Sequence, residues 1–298
     1  MLVVIGILTH GRNELLDACL KSVVLQKSPA LATIQLILLD NNPEPIAKAV
    51  FDSINFPFHT TYIHEPEKGI VIARNRVLRE AFRMNADVLG FIDDDESAHS
   101  DWVVEGVKNL NDSFDISIGP CEFQFEESAP NWISSTRVFK KREGKSGEYF
   151  KAASTRNVFI KLDFFKKHEL SFNSAFNETG GSDTLFFKQA KKRGARSYWN
   201  SAQHVNEKIP SERSNLRWIL KRNLRLGSAK AMRWFHLQNV VLVYVKVFFH
   251  GSFTILVGST QAVLTLWHPY LWVRGLEKGA RGIGMLQALL GFPFAEYK

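Results

Sequence analysis

The sequence predicts an α/β fold, a mostly parallel sheet flanked by helices and followed by a C-terminal helical segment of different character. Three observations carry this. Over the first 120 residues short apolar runs alternate with helical patterns, the rhythm of βαβ units. Polar clusters follow directly on those runs, and in open parallel sheets ligands bind beyond the carboxyl ends of the strands. Beyond residue 233 the composition turns apolar and aromatic.

Taken in order, strands are expected at 2–8, 34–39, 60–63, 88–92 and 116–118, with helices near 13–26, 70–84 and 101–110. The first apolar run lacks a basic n-region and a small-residue cleavage site, so it reads as a strand and not as a signal peptide. From 121 to 155 the pattern loosens into polar, aromatic and Gly-rich sequence, the expected form of loops inserted over a site. Order resumes with a strand at 157–160, a helix near 161–168, a turn at 177–182 and a helix at 183–193. A basic helical stretch near 211–233 follows, carrying Arg213, Arg217, Lys221, Arg222, Arg225, Lys230 and Arg233. The expected division is a domain over 1–233, with halves at 1–120 and 121–233, and a hydrophobic helical region over 234–298.

With 298 residues, 45% of them hydrophobic and 23% charged, the chain buries a full core, which excludes disorder and coiled coil. The 38 Lys and Arg against 30 Asp and Glu leave a formal charge of +8, pointing to anionic partners: nucleic acid, phospholipid headgroups or a diphosphate ligand. Cys19 and Cys121 form no CxxC pair, so a structural zinc or disulfide framework is not expected and a reducing compartment fits. Between residues 247 and 267 there is no Asp, Glu, Lys or Arg, and Trp267, Tyr270 and Trp272 cluster around Pro269. Gly251, Ser252, Ser259, Thr260 and Gln261 dilute the run, favouring a helix or broken hairpin in the membrane surface over a span. The bland alternative is a buried core helix.

The strongest chemical signal is Asp93-Asp94-Asp95-Glu96, directly after an apolar strand. Consecutive carboxylates at the open end of a buried strand repel one another unless a divalent cation sits among them, and Mg²⁺ or Mn²⁺ so held leaves places for substrate phosphates. The bland reading is an acidic turn capping the next helix. A second constellation, Glu178-Thr179-Gly180-Gly181-Ser182-Asp183, precedes a helical pattern. Ser182 or Asp183 there reads as an N-cap, and Asp183 also as a general base for a sugar hydroxyl. Arg74 and the Arg213, Arg217, Arg222 series match phosphate oxygens, against the alternative of a solvated basic face. His204, close to Glu207, is a candidate to complete a metal site. Gly144-Lys145-Ser146 lacks the earlier glycine of a Walker loop, and GxGxxG, GxSxG and HExxH are absent.

In this order, Thr9-x-x-Arg12, Asp40-Asn-Asn, Ala73-Arg-Asn, Phe91-Ile-Asp-Asp-Asp-Glu, Asn157, Gly180-Gly-x-Asp and Arg213 resemble the inverting family-two glycosyltransferases of GT-A fold. The likeness is to the small exopolysaccharide enzymes of the succinoglycan type. It runs from Val3 to about Gly227 and returns at 279–297. The resemblance implies a mostly parallel Rossmann-like sheet, with Thr9, Arg12 and Asp40 on the base and ribose of a nucleotide sugar and Arg74 nearby. It implies Asp93 and Asp95 as the DxD pair for ribose and metal–diphosphate, Asp183 as catalytic base, and Trp218 after Arg217 as the Arg-Trp element. Ser214 stands where processive synthases carry Gln, which argues for addition of a single sugar. Ser182 stands where many relatives carry Glu.

The resulting expectation is a cytoplasmic-face, membrane-associated hexosyltransferase. It would use Mg²⁺ or Mn²⁺, a UDP-linked donor and a lipid-diphosphate-linked saccharide acceptor, with no nucleic-acid partner. The rivals are a metal-dependent nucleotidyl- or phosphotransferase and a basic nucleic-acid module.

Overall fold

The computed structural model describes residues 1–110, 113–141, 144–149, 153–177, 179–237 and 240–294. It divides into two compact units. The first comprises Met1–Gln124, Lys141–Ser174 and Ser182–Lys208, and the second Phe125–Lys140, Ala175–Gly181 and Ile209–Lys298.

The first unit opens with β1 (Leu2–Thr9), α1 (Asn13–Val24), β2 (Thr33–Asp40), the short α2 (Lys48–Asp52), β3 (His59–His64), α3 (Ile70–Arg83) and β4 (Val88–Asp93). It continues with β5 (Glu96–Ala98), α4 (Trp102–Lys108), β6 (Ile116–Ile118), β7 (Cys121–Phe125), β8 (Gly147–Glu148), β9 (Val158–Lys161), α5 (Leu162–Lys167), α6 (Ser182–Lys192), β10 (Ser197–Trp199) and β11 (Val205–Ile209). The main sheet runs β3-β2-β1-β4-β9-β6-β10-β8. Its first four strands are parallel, and β9 lies antiparallel between β4 and β6.

β1 is apolar along its length because helices cover both of its faces. Val3, Ile5 and Ile7 pack with Leu16, Leu20 and Val23 of α1. On the opposite face Gly6 lets α3 come close, since a Cβ there would stand 2.6 Å from a Val77 methyl. The parallel strands, their helices and the Asn157 segment lie where the hydrophobic periodicity predicts them.

The stretch at 121–155 departs from expectation in two respects. It is not uniformly loop: β7 joins β5 and β11 in a second sheet, ordered β5-β11-β7. Residues 125–140 pack within the second unit instead, where the Arg137 N–H donates to both Glu277 oxygens at 3.0 Å and Arg274 Nε donates to the Ser135 carbonyl at 3.1 Å. Those partners lie about 140 residues away in sequence, where a local pattern carries no trace of them.

The second unit is built on α7 (Leu216–Leu237), α8 (Val240–Leu264) and α9 (Pro269–Leu289). α7 begins at Leu216 because Asn215 Oδ1 accepts the Trp218 N–H at 2.9 Å, an N-cap. Arg213 therefore lies outside the helix, in the 3₁₀ turn Ser211–Arg213, and does not share a helix face with Arg217 and Arg222. The boundary expected at 233 falls inside α7. Proline at the first position of α9, where its missing N–H has no intrahelical partner to lose, separates that helix from α8.

Candidate active site

Parallel pairing brings the polar residues to one edge of the sheet, because Thr9 stands opposite Asp40 and Leu8 opposite Asp93. Thr9 Oγ1 donates to Asp94 Oδ2 at 2.8 Å, and Arg12 Nη1 donates to Asp94 Oδ1 at 3.1 Å and Asp95 Oδ2 at 2.7 Å. Burial pushes the Asp94 carboxyl up to about 6 against the pull of the Arg12 guanidinium. Asp93 is also raised, by burial and then by the Asp95 charge, with Arg156, Arg74 and Arg12 opposing. Among the described residues no donor reaches the Asp93 carboxylate, and it keeps a partly exposed edge.

Asp40 is fully buried with its oxygens filled by the loop that follows it and by Tyr62 of β3. Oδ1 accepts from the Asn42 N–H at 3.1 Å and from Asn42 Nδ2 at 2.6 Å, and Oδ2 accepts from the Ala47 N–H at 2.8 Å and the Tyr62 hydroxyl at 2.7 Å. It shapes the loop after β2 from beneath. In that loop Asn41 donates to the Glu65 and Glu67 carbonyls and accepts the Gly69 N–H at 3.0 Å, which fixes where α3 begins.

One turn into α3, Arg74 donates from Nη1 to Ser182 Oγ at 2.9 Å and from Nη2 to Thr155 Oγ1 at 2.7 Å, with its guanidinium over the Phe172 ring. Its Nε is buried without a hydrogen-bond partner among the described residues. Ser182 is fully buried at the start of α6, and Asp183 beside it is half-buried. Consecutive positive φ angles at Gly180 (70°) and Gly181 (90°) set the turn into that helix, a conformation glycine adopts without a Cβ clash. Asp183 Oδ1 accepts the Thr184 N–H at 2.6 Å, while Oδ2 has no donor among the described residues. Glu178 lies outside the described residues.

Behind the aspartates, Glu96 of β5 stands directly opposite Glu207 of β11. Like charges so paired repel, and Arg156 resolves them: its Nε lies 3.2 Å from Glu96 Oε1 and its Nη2 3.1 Å from Glu207 Oε2. Glu96 Oε2 accepts the Asp93 N–H at 3.0 Å, which ties this buried pair to the strand end. Glu96, Cys121 and Glu207 hold their ligand atoms within 4.8 Å of one another, but the guanidinium already supplies the positive charge between the carboxylates.

His204 does not join Asp93 and Asp95. The register pairs Ala98 with Val205 and Glu96 with Glu207, so His204 lies at the far end of this ladder, stacked on His99 at 5.3 Å and 3.8 Å from Glu122. Lys208 stands near the aspartates instead, its N–H donating to the Asp95 carbonyl at 3.3 Å.

Residues 4–178, more than half of the chain, match the family model for glycosyl transferase family 2. The chain belongs to that family. The succinoglycan biosynthesis protein ExoM of Rhizobium meliloti (strain 1021) is 29% identical over 232 residues, covering 75% of this chain and 72% of ExoM. Among solved structures, the mannosyltransferase PcManGT from Pyrobaculum calidifontis, in complex with GDP-Man and Mn²⁺, aligns with TM-score 0.59 at 15% identity over 97% of this chain and 87% of its own. S. aureus TarS 1–349 in complex with UDP aligns with TM-score 0.55 at 12% identity, covering 98% and 92%. The family-2 transferase thus has the GT-A-type fold that its motifs resemble.

A divalent cation fits the aspartate end of this transferase. Asp93 is a largely buried carboxylate without a donor among the described residues, and its neighbours are oxygen donors of the hard type that suits Mg²⁺ or Mn²⁺. Thr9 and Arg12, expected on the nucleotide, hold Asp94 and Asp95 in this structure. Arg213, Arg217 and Trp218 belong to the second unit. Arg217 is exposed there, and the Trp218 ring lies parallel to that of Phe139 at 5.6 Å with Arg222 over it. Arg156 and Thr155 carry no sequence signal, since they lie in a polar loop next to Asn157, and Glu207, noted only as a neighbour of His204, gains meaning through its register with Glu96.

Proposed function

We propose that this family-2 transferase moves a hexose from a UDP-linked donor to a hydroxyl of a lipid-diphosphate-linked saccharide, with inversion, in bacterial exopolysaccharide synthesis. The observation that carries it is Arg74. Its charge reaches Asp93, while its Nη1 holds Ser182, the residue before Asp183, so one side chain ties the diphosphate end of the site to the start of α6. The names of similar proteins support the donor and the setting: TarS with UDP and UDP-GlcNAc, PcManGT with GDP-Man and Mn²⁺, and ExoM in succinoglycan biosynthesis.

Asp93 and Asp95 would hold Mg²⁺ or Mn²⁺, which when bound neutralises charge growing on the leaving diphosphate. Asp183 Oδ2 takes the proton of the acceptor hydroxyl, while Oδ1, fixed by the Thr184 N–H, keeps the carboxylate oriented. The deprotonated oxygen attacks the anomeric carbon from the side opposite the diphosphate, and the sugar changes hands with inverted configuration. Thr9 and Arg12 hold Asp94 and Asp95 against their mutual repulsion.

The basic, apolar second unit docks this enzyme on the cytoplasmic face of the cell membrane, where a lipid-linked acceptor resides. Asp183→Asn tests the reading: transfer should fall by at least about 100-fold with UDP binding retained. Turnover at the wild-type rate would remove Asp183 as base.

A further inference from the structure

The helical hairpin α8/α9 bears on how this unit meets lipid, an inference that rests on the membrane reading above. Val241, Val245, Phe248, Phe249, Leu256 and Val263 of α8 are 52–73% exposed. With Leu242, Tyr244, Phe253 and Leu264, which are 50–69% exposed, they cover an arc of roughly 200° at 3.6 residues per turn. The opposite side of α8 meets α9 backbone to backbone. A Cβ on Gly258 would stand 2.5 Å from the Gly279 nitrogen and 2.7 Å from the Gly275 oxygen, and one on Gly282 would stand 2.6 Å from the Gly251 oxygen. The helices therefore run antiparallel in contact over most of their length.

That contact decides the orientation. α9 carries Arg274, Glu277, Lys278 and Arg281, and its backbone at Arg281 would lie 2.0 Å from a Cβ on Gly227 of α7. An α8 that crossed the bilayer would draw those charges, and basic α7 behind them, to hydrocarbon depth, where each is expensive. The cation within α8 turns away as well: Lys246 Nζ lies 4.3 Å from the Trp234 ring centroid of α7, on whose ring Lys230 also sits. Of the 38 Lys and Arg and 30 Asp and Glu, 14 and 6 fall in this unit, so the entire formal charge of +8 resides there. Such a charge repels a second copy and attracts anionic lipid.

We propose that α8 lies in the plane of one anionic phospholipid leaflet, its apolar arc in the acyl boundary and the α7 and α9 cations at headgroup level, without crossing. Full-length protein carrying Val245→Cys, Leu256→Cys or Val263→Cys, each labelled with bimane, would be bound to phosphatidylcholine vesicles with and without phosphatidylglycerol. The vesicles carry either shallow or deep spin-labelled lipid quenchers. Cys19 and Cys121 are buried, and the labels share one face over about 27 Å of helix. In-plane seating gives equal quenching at the three sites, strongest with the shallow quencher, and binding that falls at least about tenfold without phosphatidylglycerol.

Deep quenching at 256 with shallow quenching at 245 and 263 means a span and overturns the proposal. Absence of quenching in a protein that sediments as a dimer means that a second copy covers the face, and also overturns it. UDP binding by the same labelled proteins reads the transfer proposal separately. Unequal quenching with full UDP binding overturns the seating alone, whereas equal quenching without UDP binding supports the seating and counts against the transferase reading.

Discussion

At the scale of single residues, the site is a set of carboxylates held apart by arginines. Arg74 is the most informative of these, because its two terminal nitrogens serve Thr155 and Ser182. A lysine replaces that planar fork by a single compact ammonium on a flexible stem, without the fixed two-pronged geometry. Arg74→Lys should therefore lower kcat by about 10- to 100-fold with a smaller change in the KM for the donor, consistent with loss of about 1.5–3 kcal/mol from charge-assisted hydrogen bonds. Ser182→Ala should reproduce part of that loss, and the double variant should show non-additivity, measured as a cycle of steady-state rates. Asp93, Asp95 and Asp183 stand out in the sequence because they directly follow strand or turn signals, and Arg74 because it opens the Arg-Asn pair early in α3. The partners that tune them were not. Nothing local to Arg156 announces that it lies between Glu96 and Glu207, and His204 drew attention that the ladder gives to Glu207, three residues on.

Elements explain those misses. β5 is three residues long and β7 lies in a stretch of loose pattern, so their pairing with β11 leaves almost no periodic signal, yet that sheet positions the acidic cluster from behind. The long parallel strands, by contrast, are apolar on both faces and their boundaries stand within a residue or two of the expected ones. The second sheet should be fragile to loss of its central charge. Arg156→Met leaves two facing buried carboxylates and should destabilise the protein by about 3–5 kcal/mol, while adding Glu207→Gln recovers a good part, as measured by urea unfolding. Arg213 teaches a related lesson: basic residues at helical spacing do not share a face when a cap such as Asn215 starts the helix between them. In the hairpin, Gly258→Ala places a methyl against backbone atoms that cannot yield, and a loss of about 1–3 kcal/mol is expected in thermal unfolding.

For the whole molecule, the division of charge is as telling as the division of contacts. The first unit carries the Asp93–Asp95 and Arg74 cluster and balances its acids and bases, while the second holds the net positive charge and the exposed apolar helix. Composition announced both properties without saying that they coincide in one unit. Sedimentation with anionic vesicles should accordingly weaken as salt rises and be abolished by removing residues 240–294, whereas raising salt should leave UDP binding to the detergent-solubilised protein within about twofold, since buried charges are screened little. The proposed transfer depends on the Asp93–Asp95 end binding a nucleotide diphosphate through a divalent cation, which calorimetric titration of UDP with and without Mn²⁺ measures. Binding should require Mn²⁺ and fall at least about tenfold in Asp93→Asn, through loss of one charged oxygen donor. Equally tight binding in chelator, unchanged by that substitution, would contradict it.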